Sequence, residues 1–434
     1  MGYSKNIGHN LATQIYKLIF GVLAGVLVAR ALGPAGQGYV AYILVIFNLL
    51  GTFGSLGINS AVAYFQKKSG FERTAIFSSN MSILGIFSLC LILLVFLTWR
   101  FGIALDSYDL PYIIGGVILM VSTMFTMHHQ AWLTGDEKII KNNKIGLIVF
   151  SLRSLAIFGF WVFGILTPLS FFYLNALGML LWLILIHISL RENYIALISI
   201  RVIKAELKYG AFGWWSALFA FLQLRVDQLM IRQYWDVSNL GVYSIAVMIA
   251  ELLFLLPVSI TGALIGRLYN LPAGDDGRML TARTIRLSFY ICLLLALVGV
   301  LGSFLIPIVY GAPYASATTA MIILLPGILF ACIPKIASPW FYAEGKPQIH
   351  LYITLAAFIT NLVANLLLIP KYGINGAAFA SSISYILYGA WYLGQLAWGE
   401  RFGIRSLLIP DLSDWQIISR LVKSGRQADS AGGH

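Results

Sequence analysis

The chain has 434 residues, of which 59% are hydrophobic and 11% charged, and its mean hydropathy is +0.84. A soluble domain carries roughly 25% charged residues, so this composition excludes a soluble enzyme, a disordered chain and a disulfide scaffold. It leaves an all-α polytopic membrane protein. The net charge of +12 would suggest nucleic acid in a soluble protein. Here it reads as the basic bias of cytoplasmic loops, and no nucleic-acid partner is expected.

A crossing helix needs roughly 20 apolar residues. Such runs fall at 11–32, 38–60, 75–98, 111–133, 145–166, 169–190, 212–233, 240–265, 287–309, 317–341, 349–370 and 374–398, which predicts twelve transmembrane helices. The loops alternate in charge. One set carries 21 Lys and Arg, and the other carries only Arg100 and Lys371. That asymmetry predicts a multi-pass protein of the cytoplasmic (inner) membrane with both termini in the cytoplasm. The longest outer loop, 99–110, has twelve residues. No outer domain exists to carry a catalytic site, and no enzyme activity is expected. Beyond residue 398, Leu412, Trp415, Ile418, Leu421 and Val422 share one side of a candidate interfacial helix.

The predicted organisation is an N-terminal six-helix bundle (1–190), a cytoplasmic linker (191–211), a C-terminal six-helix bundle (212–398) and a cytoplasmic tail (399–434). The halves echo each other. Gly38-Tyr39-Val40-Ala41 corresponds to Gly241-Val242-Tyr243-Ser244, and Gly135 to Gly345. Parallel six-span repeats belong to transporters, which hold substrate at the repeat interface near mid-membrane.

Ionisable groups inside spans cost a few kcal/mol or more, so each is a functional candidate. Arg30 and Arg232 lie near outer helix ends, where they can snorkel. Lys17, Arg153 and Lys335 sit roughly 8–15 Å from the cytoplasmic ends of three helices at 1.5 Å per residue. None has an acid in its own helix, and the first half has no acid inside any span. They predict one cationic cavity open to the cytoplasm. In the first span Asn10, Gln14, Lys17, Gly21 and Gly25 form a polar and small stripe. In the seventh, Gly213, Ser216, Ala220, Gln223 and Asp227 do the same. Both stripes are expected to line the cavity. Arg225 lies about 200° around the helix from Asp227, so Glu251 on the next helix is its expected partner. Asn361 and Asn365 add a neutral polar patch. Pro326, Pro334 and Pro339 are expected to break the tenth span. His128 and His129 read as interfacial. Cys90, Cys292 and Cys332 read as small core residues, and no metal site is expected.

Three stretches carry a family likeness: "ARALGPAGQGYVAYI" from Ala29, "GINSAVAYF" from Gly57, and "AEGKPQIHLYITLAAFITNLVANLLLIPKYGINGAAFASSISYIL" from Ala343. They resemble bacterial polysaccharide biosynthesis flippases, the O-antigen and exopolysaccharide exporters of the multidrug/oligosaccharidyl-lipid/polysaccharide superfamily. The resemblance implies two six-helix bundles around a V-shaped cavity. It implies an undecaprenyl-pyrophosphate-linked oligosaccharide flipped to the outer leaflet by alternating access; no cofactor is expected, and coupling to Na+ or H+ stays open. Membrane lipids and polysaccharide polymerase and assembly machinery are the implied partners. The Arg225-Val226-Asp227 run resembles a charged stretch of the same helix in that family. The residues agree on one point: Lys and Arg recognise a pyrophosphate, whereas the alternative, an ion-coupled drug or small-metabolite exporter of the same fold, would want acids in its lumen.

Overall fold

A computed structural model describes the backbone of residues 2–68, 70–190, 192, 194–195, 198–268 and 275–410. The side chains of 2–15, 63, 67–68, 139, 262–263, 265–267 and 275 fall outside that description. The end of the bundle that carries the basic loops is called the inner end, and the opposite one the outer end.

Helix α1 (Gly2–Gly54) is two arms joined at Gly33, whose φ of +64° only glycine adopts cheaply, followed by Pro34, which has no amide hydrogen to give. After a left-handed Gly57 come α2 (Ile58–Lys68), α3 (Arg73–Arg100), α4 (Leu110–Gly135), α5 (Ile139–Val162) and α6 (Pro168–Leu190). Then α7 (Ile200–Tyr234) starts on a Ser199 cap. α8 (Val237–Ala250) starts on Asp236, whose Oδ1 accepts from the Asn239 amide at 2.8 Å. That bond holds the Asp236 carboxyl below its ordinary range. A tight turn at Glu251–Phe254 leads into α9 (Leu255–Leu268). α10 (Asp275–Ser303), α11 (Ile306–Val309), α12 (Ser316–Ala343), α13 (Pro347–Gly394, again two arms, joined at Gly373 with φ +57°) and α14 (Ile404–Leu408) complete the order.

Among the described residues there is no strand, and nine helices are long and apolar enough to cross a membrane. Two of the nine contain the breaks at Gly33 and Gly373, and α7 is not among them, so the arrangement is compatible with twelve crossings. Leu89, Leu155 and Leu294 are each more than 60% exposed on the rim, which suits lipid and not water. Residues 200–211, read from the sequence as linker, are the first turns of α7. The proposed tail helix from Leu412 lies outside the described residues.

α1 to α6 make one lobe, and α8 to α13 with the outer part of α7 make the other. The outer ends of the lobes touch through backbone. A Cβ on Gly38 would stand 1.9 Å from the Val237 carbonyl oxygen, and one on Gly241 1.8 Å from that of Pro34. The two glycines of the first repeat echo therefore meet each other. Arg30 adds two 2.8 Å bonds across the seam to the Ile308 and Val309 carbonyls, and Tyr314 donates to Ala29 O. At the inner end the base of α7 docks on the first lobe instead, with Gly210 against Gly57 and Trp214 Nε1 donating to Phe53 O at 3.1 Å. The outer part of α7 packs along α13.

Helix α12 is not broken by its prolines; it runs unbroken from 316 to 343. Neighbours supply the missing donors. Pro339 leaves the Lys335 carbonyl free, and Thr261 Oγ1 donates to it at 2.8 Å. In α9 the same defect appears at Pro257, where the orphaned Leu253 carbonyl lies against the thiols of Cys292 and Cys332 at 3.9 and 4.0 Å. The two cysteines are core residues with a task.

Candidate functional site

Three cavities surround the second arm of α1 and the middle of α7. The first, about 280 Å³, lies inside the N-terminal lobe. Lys17 and Arg153 both line it, with Asn48, Asn175, Phe150 and Trp182. Arg153 is clamped: Nη1 donates to Asn175 Oδ1 at 3.0 Å, and the guanidinium sits 5.4 Å from the Phe150 ring centre. Its buried Nε has no protein partner. No Asp or Glu lines this cavity.

The second cavity, about 410 Å³, lies between the lobes and adjoins the first at Leu44 and Asn48. Arg225 and Glu251 line it and form a two-pronged ion pair at 2.6 and 2.8 Å. The tight turn after α8 swings Glu251 toward α7, so the pair expected from the sequence is present. Both side chains remain about one-quarter exposed, because the cavity wets them.

Lys335 departs from expectation. It lines a third cavity of about 200 Å³ inside the C-terminal lobe, with Gln223, Ser338, His350, Tyr385 and Tyr388. Its ammonium sits 4.2 Å over the Phe254 ring. The same turn that presents Glu251 to α7 presents Phe254 to α12, and α7 stands between the two chambers. Equal depth along the helices did not mean a common chamber.

Asp227 also departs from it. The carboxylate is 1% exposed and faces the interior of the C-terminal lobe. It accepts from Tyr243 OH at 2.5 Å, Ser381 Oγ at 2.8 Å and the Gln228 amide at 2.7 Å. The chain of bonds continues from Asn361 Nδ2 to Ser381 at 3.3 Å and from Asn365 Nδ2 to Asn361 Oδ1 at 2.7 Å. Asn365 Oδ1 is buried without a partner. Gln223 reaches Ser384 at 3.4 Å. Arg225 faces the cavity because it lies on the opposite side of α7, as the helical angle required. The side chains of Asn10 and Gln14 lie outside the described residues.

The sequence reading missed Asn48, Asn175, Tyr243 and Ser381. Single neutral polar residues in apolar runs are too common to choose among without contacts. It also missed the clasps at the inner ends. Arg73 bonds Asp136 at 2.8 Å and Glu192 at 2.6 Å, and Lys346 bonds Glu400 at 2.6 Å. Each clasp begins one residue after the glycines of the second echo, Gly135 and Gly345.

The family profile described as "Polysaccharide biosynthesis protein" matches residues 3–268, and that described as "Lipid II flippase MurJ" matches 158–403. The chain belongs to the polysaccharide biosynthesis protein family. Within that family's reach, a putative O-antigen transporter of Shigella flexneri is 24% identical, over 89% of this chain and 96% of its own. The capsular polysaccharide biosynthesis protein CapF of Staphylococcus aureus is 23% identical, over 88% and 96%. Among solved structures, the lipid II flippase MurJ in an inward closed conformation superposes with a TM-score of 0.72 at 17% identity, covering 91% of this chain and 88% of its own. An inward-facing multidrug MATE transporter superposes at 0.63 and 14%, covering 92% and 98%. The all-α fold of two bundles is therefore shared with both transporter groups.

Proposed function

We propose that this member of the polysaccharide biosynthesis protein family is a membrane transporter, not an enzyme, and that it flips a lipid-linked oligosaccharide for cell-surface polysaccharide synthesis. The observation that carries the reading is the acid-free cavity with two bases, inside a chain of this family. A pyrophosphate is met by the Lys17 point charge and by the clamped Arg153 fork, whose Nε stands ready for a further acceptor. Asn48, Asn175 and Trp182 offer hydrogen bonds to the first sugar. The adjoining chamber gives the remaining glycan its room. A drug exporter of the same fold is the weaker reading, because drug cations want lumen carboxylates and Glu251 is already paired.

The finer assignments of the proposal rest on the family likeness and the loop charges. Undecaprenyl pyrophosphate is the carrier, the membrane is the cytoplasmic (inner) one, both termini are cytoplasmic, and polymerase and assembly machinery receive the product. Asp227, Asn361, Asn365 and Ser381 are the coupling group, a carboxylate among neutral polar groups that suits Na+ or H+. The outer seam in this structure is closed, so alternating access opens it while the lobes meet at the inner end.

The test is flipping of a headgroup-labelled lipid-linked oligosaccharide in liposomes. A hydrogen bond to a charged group contributes about 1.5–3 kcal/mol. Lys17→Gln with Arg153→Gln should therefore slow flipping about tenfold or more. Wild-type flipping by that variant at normal abundance overturns the cationic-cavity mechanism.

A further inference from the structure

Away from all three cavities, α7 buries a carboxyl that the flippase reading does not use. Glu206 is 0% exposed. It stands before the crossing part of the helix (212–233), on the base that docks against the first lobe. Its Oε1 accepts from Asn80 Nδ2 of α3 at 3.2 Å, and its Oε2 is buried without a partner. The same Asn80 amide lies 3.3 Å from His128 Nε2 of α4. Asn80 and His128 are themselves 0% and 1% exposed. Among the described side chains, one neutral amide is all that answers the charge of a carboxylate here.

Among the described side chains, the charged groups nearby are engaged elsewhere or face outward. From α3, Arg73 is taken by Asp136 and Glu192. From α4 comes His129, held by His187 of α6 at 2.8 Å, while Asp136 is taken by Arg73 and Lys138. On α7 itself Arg201 lies over the Phe71 ring at 5.8 Å, and Lys204 and Lys208 face outward. The second arm of α1 (34–54) contains no ionisable Asp, Glu, Lys, Arg or His, and neither does the outer part of α13 beyond Lys371. On α2, Lys67 and Lys68 lie outside the described side chains. An ionised carboxylate without a cation does not stay buried; it takes up a proton or the site opens.

We propose that Glu206 is a proton-binding site: it holds a proton while the base of α7 is docked on the first lobe and gives it up when that base leaves. The step is balanced, since the carboxyl O–H loses its proton to water and the carboxylate becomes hydrated. Burial pushes the docked carboxyl up to about 8, against roughly 4.3 in water. The docked form then binds more protons across that interval. Docking is strongest below it, weakens up to about tenfold per pH unit as pH rises through it, and levels off above pH 8. Because α7 is the helix shared by the two lobes, this places a pH-dependent contact on the part that joins them.

The flipping readout rests on the flippase reading; the spectroscopic one does not. The full-length protein in liposomes is titrated from pH 6 to 10 by infrared difference spectroscopy, wild type against Glu206→Gln. The amide keeps an acceptor for Asn80 and mimics the protonated acid. The expected result is a protonated-carboxyl C=O band in the wild type at pH 6 that is gone by pH 10 and is absent from Glu206→Gln. A spectrum in which the variant loses no band at pH 6 overturns the proposal, since Glu206 would then be ionised throughout. In the flipping assay the wild-type rate should change severalfold between pH 6.5 and 8.5 and the Glu206→Gln rate less than twofold. Equal pH dependence in both also overturns it. If the wild type flips nothing at any pH while the band behaves as expected, the flippase reading fails and the proton site stands.

Discussion

The two halves of the molecule repeat one fold and invert its electrostatics. In the first, the membrane-embedded bases Lys17 and Arg153 face a cavity that no carboxylate lines. In the second, Arg225 is neutralised by Glu251, and Asp227 is buried among hydroxyls and amides. The inversion reaches the clasps: after Gly135 an Asp holds an Arg, and after Gly345 a Lys holds a Glu. The likeness of the two lobes does not extend to their charges. Under the proposed function one copy meets an anion with its bases and the other holds the carboxylate on which coupling acts. Among the described residues Lys335, with no acid on its cavity wall, is an unpaired base of the second half.

The sharpest way to break this comparison is to unpair the second half. Glu251→Gln leaves Arg225 alone at the cavity wall. The loss is about 2–3 kcal/mol, below the ~3–5 of a dry pair because both side chains touch the cavity. Thermal unfolding in detergent should report it, and exchanging the two residues should restore part of the stability. Strictly additive losses would mean that the 2.6 Å contact contributes nothing.

Next comes the contrast between bases. Arg153→Gln should slow flipping about tenfold, Lys17→Gln severalfold and Lys17→Arg less. Lys335→Gln, in its separate chamber, should change the rate by less than about threefold. Equal losses at all three would return Lys335 to the same anion site. Asp227→Asn should leave binding of the lipid pyrophosphate within about twofold while removing any dependence of the rate on a Na+ or proton gradient. A gradient response that survives would take the coupling role away from the second half.

The smallest effect belongs to the clasp. Asp136→Asn should cost under about 1 kcal/mol, since Arg73 is 42% exposed. Burial raises the Asp136 carboxyl, but its bonds to Arg73 and Lys138 outweigh that and hold it below the ordinary range. A lowered native value means that the contribution is complete above about pH 4 and is lost as pH falls below it. Unfolding curves of wild type and variant should therefore converge in acid. A gap that persists at pH 2 would assign the effect to something other than the ion pair.

The fold was legible because a bilayer leaves few choices: apolar runs, loop charges and two glycine echoes carry nearly all of it. The pairing of Arg225 with Glu251 was legible too, since angle around one helix and depth on the next are simple geometry. Lys335 was not, because depth along a helix says nothing about which chamber a side chain enters. The prolines of α12 misled for a related reason. Their damage is local, and Thr261, from another helix, repairs it at one carbonyl. Glu206 was read as part of the cytoplasmic linker, and only the docking of α7 makes it a buried acid.

At the outer seam Gly38 and Gly241 bring two backbones together with nothing between them. At that crossing no side chain interlocks, while Val26, Ala29 and Tyr42 of α1 pack into the core of the second lobe beside it. Its cohesion includes the dispersion of the main-chain atoms, the two carbonyl bonds from Arg30 and the bond from Tyr314 to Ala29 O. A shift along the helices would bring side chains to where only glycine fits, which fixes the register of the closed seam.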